Sequence, residues 1–351
     1  MATPTQSLVA QHAQWLQLKK IIENDNGLLK RRYGYYLLRT LIVLGFLGLG
    51  IAGIVILVEN LPIVLGIALL FAATRTQFGL LAHAAIHGQI FQSRGKNAVA
   101  GHAYGFGIGF PTGWWAWKHN RLHHGSPNNT DRDGDIQVIW VAFTFEQGAV
   151  KNGFNRWMME WQNWTVTPVL FLSAISMWFA GLNYLIFPKE EMRDRGIQWF
   201  LFWVHVGAYA ALLILFLDSW LHIMVFVVTM LGIQGLYMGS IFATNHKGME
   251  MLDDKTSKGL GLILQQVPTS RDVRVPWFLR SLVGGLDYQI EHHLFPNMPE
   301  SSLDRAQPLV EKFCVENNIP YTRTGFLEAI HDIFGYLGGI ATKLKEVRCS
   351  A

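Results

Sequence analysis

A chain of 351 residues in which half are apolar, 13% aromatic and only 15% charged is too oily for an ordinary soluble domain. The net charge of +4 is modest and the basic residues sit in loops, which excludes a face that tracks phosphates and with it nucleic acid as a partner. The two cysteines, Cys314 and Cys349, exclude a disulfide framework and a CxxC metal site.

The N-terminal stretch MATPTQSLVAQHAQWLQLKK mixes polar residues throughout and lacks the basic-then-apolar order of a secretory signal. The first apolar run is therefore expected to serve as its own insertion signal. Four runs reach the roughly 20 residues a helix needs to cross a bilayer: 36–58, 61–81, 198–217 and 220–244. A fifth, 164–187, is nearly as long but contains Thr165, Thr167, Pro168, Ser173, Ser176 and Asn183.

Sidedness ranks the fifth run. Lys19, Lys20, Lys30, Arg31 and Arg32 precede the first run and the linker Glu59-Asn60 carries no Lys or Arg, so the N-terminus is expected on the cytoplasmic side. The first two runs then form a hairpin returning there. Both flanks of the fifth run are basic, with Lys118, Arg121, Arg132, Lys151 and Arg156 before it and Lys189, Arg193 and Arg195 after it. A segment with both ends on one side is interfacial or re-entrant. Asp218-Ser219 again lacks positive charge, and the tail from Lys247 is rich in it. The expected architecture is an all-α integral membrane protein, a single domain over 1–351. It has four transmembrane helices in two hairpins, interfacial helices, and a helical cytoplasmic cap from about 82–197 and 245–351 that holds the metal site; both termini are cytoplasmic.

Eight of the thirteen histidines are grouped: His83 and His87 in HAAIH, His119, His123 and His124 in HNRLHH, His246 in ATNHKG, and His292 and His293 in QIEHH. On a helix, residues four apart share a face, so His83 with His87, His119 with His123, and Gln289 with His293 can each aim at one point. One such pair alone reads equally as two surface histidines. Three groups and His246, all expected on the cytoplasmic side near span ends, make coincidence a poor explanation. Neutral imidazole is the commonest metal ligand, and a catalytic ion takes about three protein ligands, so eight imidazoles suit two ions with open positions. Imidazole by itself leaves iron, zinc, copper and nickel open.

HAAIH, HNRLHH and QIEHH, in this order and across four spans, resemble the three histidine boxes of the integral-membrane fatty acid desaturases. Gln289 in the third box, LFP after it, GGLDY before it and HHGSPNNTDRDGDI after box two are similar to the front-end and related acyl or sphingolipid branch. The resemblance covers about 37–299. It implies a histidine-bound diiron centre that uses O2 and two electrons to introduce a cis double bond into a fatty acyl chain carried on CoA or a lipid. The implied metal ligands are His83, His87, His119, His123, His124, His292 and His293, with His246 matching an isolated ligand after the fourth span. Gln289 either binds metal through its amide oxygen or supports a water.

Two positions depart from that branch: Ala84 stands where many members carry an acidic residue, and Asp287 where Asn is frequent, offering either a hydrogen-bond acceptor for an imidazole or a helix cap. Asp131, Asp133 and Asp135 read as acceptors for ligands or as a solvated loop. Trp114, Trp115, Trp117, Phe106, Phe110, Gly105, Gly107 and Gly109 read as ordinary packing before a substrate channel. His102 and the intramembrane His205 are expected to be hydrogen-bonded structural residues.

The haem motif HPGG of a fused cytochrome b5 domain is absent, so electrons are expected from a separate ferredoxin-like or cytochrome b5-like donor. Lys118, Arg121, Lys247, Lys255 and Lys258 would dock its acidic face. A hydroxylase with the same oxidant is the nearest rival function. A membrane metal transporter is the rival from another class, disfavoured because the histidines lie at span ends rather than at the bilayer midplane.

Overall fold

The computed structural model describes residues 7–57 and 60–350; Val58 and Glu59, at the end of the first expected span and in its linker, lie outside the described residues, as do the first six residues of the N-terminal stretch. In chain order, helix α1 (Leu8–Asn24) opens under Ser7, whose hydroxyl accepts from Ala10 N at 3.3 Å. Helices α2 (Tyr33–Leu57) and α3 (Leu61–Ile86) follow, α3 starting at an Asn60 cap with Pro62 in its first turn. Helix α4 (Arg94–Ile108) stops at Gly109, whose φ of 82° is left-handed. A π-helical turn spans Ala116–His123, and then come α5 (Gly153–Glu160), α6 (Gln162–Phe171), α7 (Ser173–Ile186), α8 (Arg195–Phe216) and α9 (Trp220–His246). The remainder is α10 (Leu262–Gln266), β1 (Asp272–Arg274), α11 (Gln289–Leu294), α12 (Leu303–Glu316), β2 (Arg323–Gly325) and α13 (Phe326–Ser350), with short turns between.

Among the described residues α2, α3, α8 and α9 are long and apolar enough to cross a membrane, matching the four expected spans. Their ends differ in a way that matters: α3 runs on to Ile86, so the first histidine box rides on the span helix itself. The 164–187 run is a pair, α6 and α7, bent by 61° at its break. Pro168 inside α6 has no N–H to donate.

The chain divides into two compact units. One comprises Arg31–Trp117 and Leu170–Ser240. Its centre is α3, where Phe71 meets Tyr209 and Phe226 edge-on at 5.8 and 5.3 Å and packs with Val64, Ala68, Leu213 and Met230. Close approach explains the glycines at the end of α4: a Cβ on Gly107 would lie 2.5 Å from the Phe78 ring, and one on the capping Gly109 2.5 Å from His205 Nε2. Phe106 and Phe110, with Gly105 and Gly109, line a small cavity that Thr112, Gln198 and Phe202 close.

A cation lies buried in this unit. Arg75 on α3 donates from Nε to Gln234 Oε1 at 2.8 Å and from Nη2 to Ile108 O at 2.6 Å; its Nη1 meets His205 Nε2 at 2.9 Å, and its guanidinium stacks 5.0 Å from the Tyr209 ring. All these partners are neutral. Water is absent from a span, so they take over the hydration that the guanidinium loses. The expected partner for His205 is therefore Arg75. His102 is likewise satisfied, by Asp194 at 2.7 Å and Thr112 at 2.9 Å.

The other unit comprises Met1–Lys30, Lys118–Val169 and Ile241–Ala351. Leu18 and Ile22 of α1, Ile290 and Leu294 of α11, and Val310, Phe313 and Cys314 of α12 share one core. A second cluster joins Ala142 and Met159 to Ile340 and Leu344 of α13. The parallel pair of strands, with Asp272 opposite Arg323, is a feature the all-helical reading did not anticipate. Burial sets the Cys314 thiol up to about 12, which keeps it protonated and inert.

Candidate metal centre

The HNRLHH box does not lie on a regular α-helix. His124 N donates to His119 O at 2.9 Å, a bond spanning five residues instead of four. Adding a residue to the turn brings His119, His123 and His124 towards one side, where an α-helix would carry His124 away from the other two. His119 Nε2 and His124 Nε2 stand 3.2 Å apart.

Two trios form inside this unit. The imidazoles of His123, His246 and His293 present ligand atoms within 4.8 Å of one another, with His123 Nε2 and His246 Nε2 at 3.2 Å. The imidazoles of His119, His124 and His292 do the same. The His124 and His293 rings stack at 4.2 Å and join the trios. At the end of α3, His83 and the capping residue His87 face each other with ring centres 4.6 Å apart, and His87 N donates to His83 O at 3.1 Å.

In the first trio each Nδ1 is held by an acceptor. His123 Nδ1 meets both carboxylate oxygens of Asp133 at 3.1 and 3.2 Å, His246 Nδ1 the carbonyl of Thr269 at 3.0 Å, and His293 Nδ1 the amide oxygen of Gln266 at 2.7 Å. The Gln266 amide is oriented without ambiguity, because its nitrogen donates to His124 O at 2.9 Å. Acceptors at Nδ1 place the proton there and leave the Nε2 lone pairs turned inward. Neutral lone pairs 3.2 Å apart repel, and a cation between them removes the conflict. The residues present therefore fit a metal ion.

Gln289 takes a different part. Asn245 Nδ2 donates to Leu286 O and to Gln289 Oε1, both at 2.9 Å, which turns the Gln289 amide nitrogen towards His246 Nε2 at 2.8 Å. Its oxygen, the atom that would bind metal, faces Asn245. Asp287 pairs with Arg280 at 3.7 Å, and burial pushes its carboxyl up to about 7.

Of the three aspartates after box two, Asp133 is fully buried. It accepts from Asn128 N at 2.8 Å and Asp135 N at 2.9 Å while holding His123. Burial disfavours charge on both partners, and their mutual attraction outweighs it: His123 rises and Asp133 falls from the ordinary values. Asn128, at a left-handed φ of 52°, sends its amide to His246 O at 2.9 Å and Thr269 O at 3.2 Å, which ties the PNNTDRD loop to the end of α9. Asp131 instead caps Asp254 N at 3.0 Å on the surface. Asp133→Asn is expected to lower metal affinity about 10–100-fold, and Asp131→Asn to leave metal content unchanged, as measured by elemental analysis of purified protein.

The expected donor-docking set needs one correction. Lys247 is only 8% exposed, its ammonium 4.6 Å from the Phe143 ring, so it is unavailable to a docking protein. Lys118 is bound to Asp135 at 2.5 Å. Arg121, Lys255 and Lys258 are exposed.

A predominantly helical membrane protein carrying two histidine trios is the class these observations define. The family model for fatty acid desaturase matches residues 60–325, and the chain belongs to that family. It is 30% identical over 299 residues to the acyl-lipid (9-3)-desaturase of Physcomitrium patens, a match covering 82% of this chain and 55% of that protein. It is 28% identical to the Delta(6)-fatty-acid desaturase fat-3 of Caenorhabditis elegans, covering 95% of this chain and 76% of the relative. For the Delta(5) fatty acid desaturase fat-4 of the same organism the identity is 31%, with 79% and 64% covered. The chain thus spans little more than half the length of the first of these relatives and about two thirds to three quarters of the other two.

Proposed function

We propose that this chain is an O2-dependent desaturase that places a cis double bond in a fatty acyl chain, carried on a lipid or on CoA. The observation that carries the reading is the anchored trio: three imidazoles, each held at Nδ1, turn their Nε2 atoms to one place. His123, His246 and His293 would hold one iron. His119, His124 and His292 would hold the other, and His83 and His87 of the first box would be further iron ligands. A diiron pair so bound supplies the oxidising power to remove hydrogen from an unactivated carbon, with two electrons from an external donor.

The chain's own residues do the rest. Asp133, Thr269 and Gln266 fix the imidazole planes, and neutral ligands leave the metals their positive charge. Asn245 fixes the Gln289 amide, whose N–H meets the His246 Nε2 lone pair that a bound iron would take over. Arg121, Lys255 and Lys258 would meet an acidic donor on the cytoplasmic side, where both termini and the boxes would lie by the positive-inside rule. The relatives' names, which number double bonds at positions 5 and 6, support a new bond near the carboxyl end.

The test is expression in a host without polyunsaturated lipids, feeding of candidate acyl chains, and location of new double bonds by mass spectrometry. A new alkene is expected. An alcohol would assign the rival hydroxylation, and no oxidised product from any chain would overturn the reading.

A further inference from the structure

Two buried carboxyls behind the third box take no part in the chemistry described so far. Glu291 sits inside QIEHH, yet it leaves α11 on the side away from Gln289 and His293. It is fully buried, and so is Asp272 of β1. The phenol of Tyr321 reaches both: its oxygen lies 2.6 Å from Asp272 Oδ2 and 2.9 Å from Glu291 Oε1. The other oxygen of Asp272 accepts from Ile290 N, the second residue of α11, at 3.0 Å.

The short strand pair explains why these groups meet. Asp272 N donates to Thr322 O at 3.0 Å, and Asp272 lies opposite Arg323, so the ladder draws β1 and the residue before β2 together. Val273 N donates to Asp287 O at 3.0 Å, which ties the approach to α11 to the same strand. A helix of six residues has too few internal bonds to hold its own direction. Its side chains must be aimed from outside.

We infer that Asp272, Glu291 and Tyr321 form a clamp whose task is to aim the third histidine box, with Glu291 and Tyr321 as positioning residues for His292 and His293. The clamp grips the backbone of α11 through Ile290 and its far face through Glu291. The near face is thereby left to the imidazoles. Glutamine at 291 has the length of glutamate and both donates and accepts, so it keeps the grip; alanine does not. Phenylalanine at 321 keeps the ring and loses the hydroxyl that joins the two carboxyls.

This inference rests on the diiron reading for its spectroscopic readout, and a metal-independent measurement accompanies it. Wild type, Glu291→Gln, Glu291→Ala, Tyr321→Phe and His293→Ala are purified and compared for iron content, Mössbauer spectrum and hydrogen exchange of the peptide covering 289–295. Glu291→Ala and Tyr321→Phe are expected to accelerate exchange in that peptide, to bind iron about 10-fold or more weakly, and to broaden the iron spectrum, while Glu291→Gln restores all three. Unchanged exchange and unchanged iron in both Tyr321→Phe and Glu291→Ala would overturn the clamp. So would a Glu291→Gln protein as damaged as Glu291→Ala. Iron absent from wild type itself would remove the diiron reading, and faster exchange in the variants would still uphold the clamp.

Discussion

His293→Ala is expected to abolish product formation, a fall of more than about 100-fold, and to remove at least one metal equivalent from the purified protein. His293 is the residue best placed to do this damage, because its ring stands 4.2 Å from His124, 4.7 Å from His246 and 5.0 Å from His123. It therefore touches members of both trios. The residue is 3% exposed on a helix in the core of its unit, and alanine leaves a polar-walled hole without altering the backbone. Membrane insertion and folding should survive. His331→Ala is the control: that imidazole is 89% exposed on its side chain, so metal content and turnover should match wild type. Metal retained in full by His293→Ala would remove it from the ligand set.

The second large effect lies away from the histidines. Arg75→Met is expected to destabilise the protein by about 3 kcal/mol or more, since it orphans Gln234, the Ile108 carbonyl and His205 where no water can replace the guanidinium. Arg75→Lys should not rescue it. One ammonium cannot reach acceptors arranged for the planar fork, and it loses the stacking on Tyr209 at 5.0 Å. Unfolding midpoints in detergent micelles measure this directly. Midpoints equal to wild type for both variants would show that the network is dispensable.

Length and oiliness made the spans readable, because no soluble fold calls for four runs of that kind. Spacing made the boxes readable. What stayed hidden had no periodic trace. The widened turn at Ala116–His123 looks in sequence like any helix, and only the bond from His124 N to His119 O reveals it. Three neighbouring aspartates carry the same charge, and burial alone separates Asp133 from Asp131. Gln266, Thr269 and Asn245 act through one amide or carbonyl each, a role that no residue type announces. Strands of three residues are too short to alternate, so β1 and β2 went unseen, and with them the meeting of Asp272 and Tyr321. Lys247 misled for a related reason: a lysine next to a span end reads as a surface charge, yet its ammonium lies against the Phe143 ring and donates to Asp135 O at 3.4 Å.

The most direct measurement is the metal content and X-ray absorption spectrum of the purified 351-residue chain. Two irons per chain, each in a shell of nitrogen ligands, is the expected result. A chain that binds no iron when supplied with it, or that holds its metal mainly through carboxylate oxygen, would contradict it.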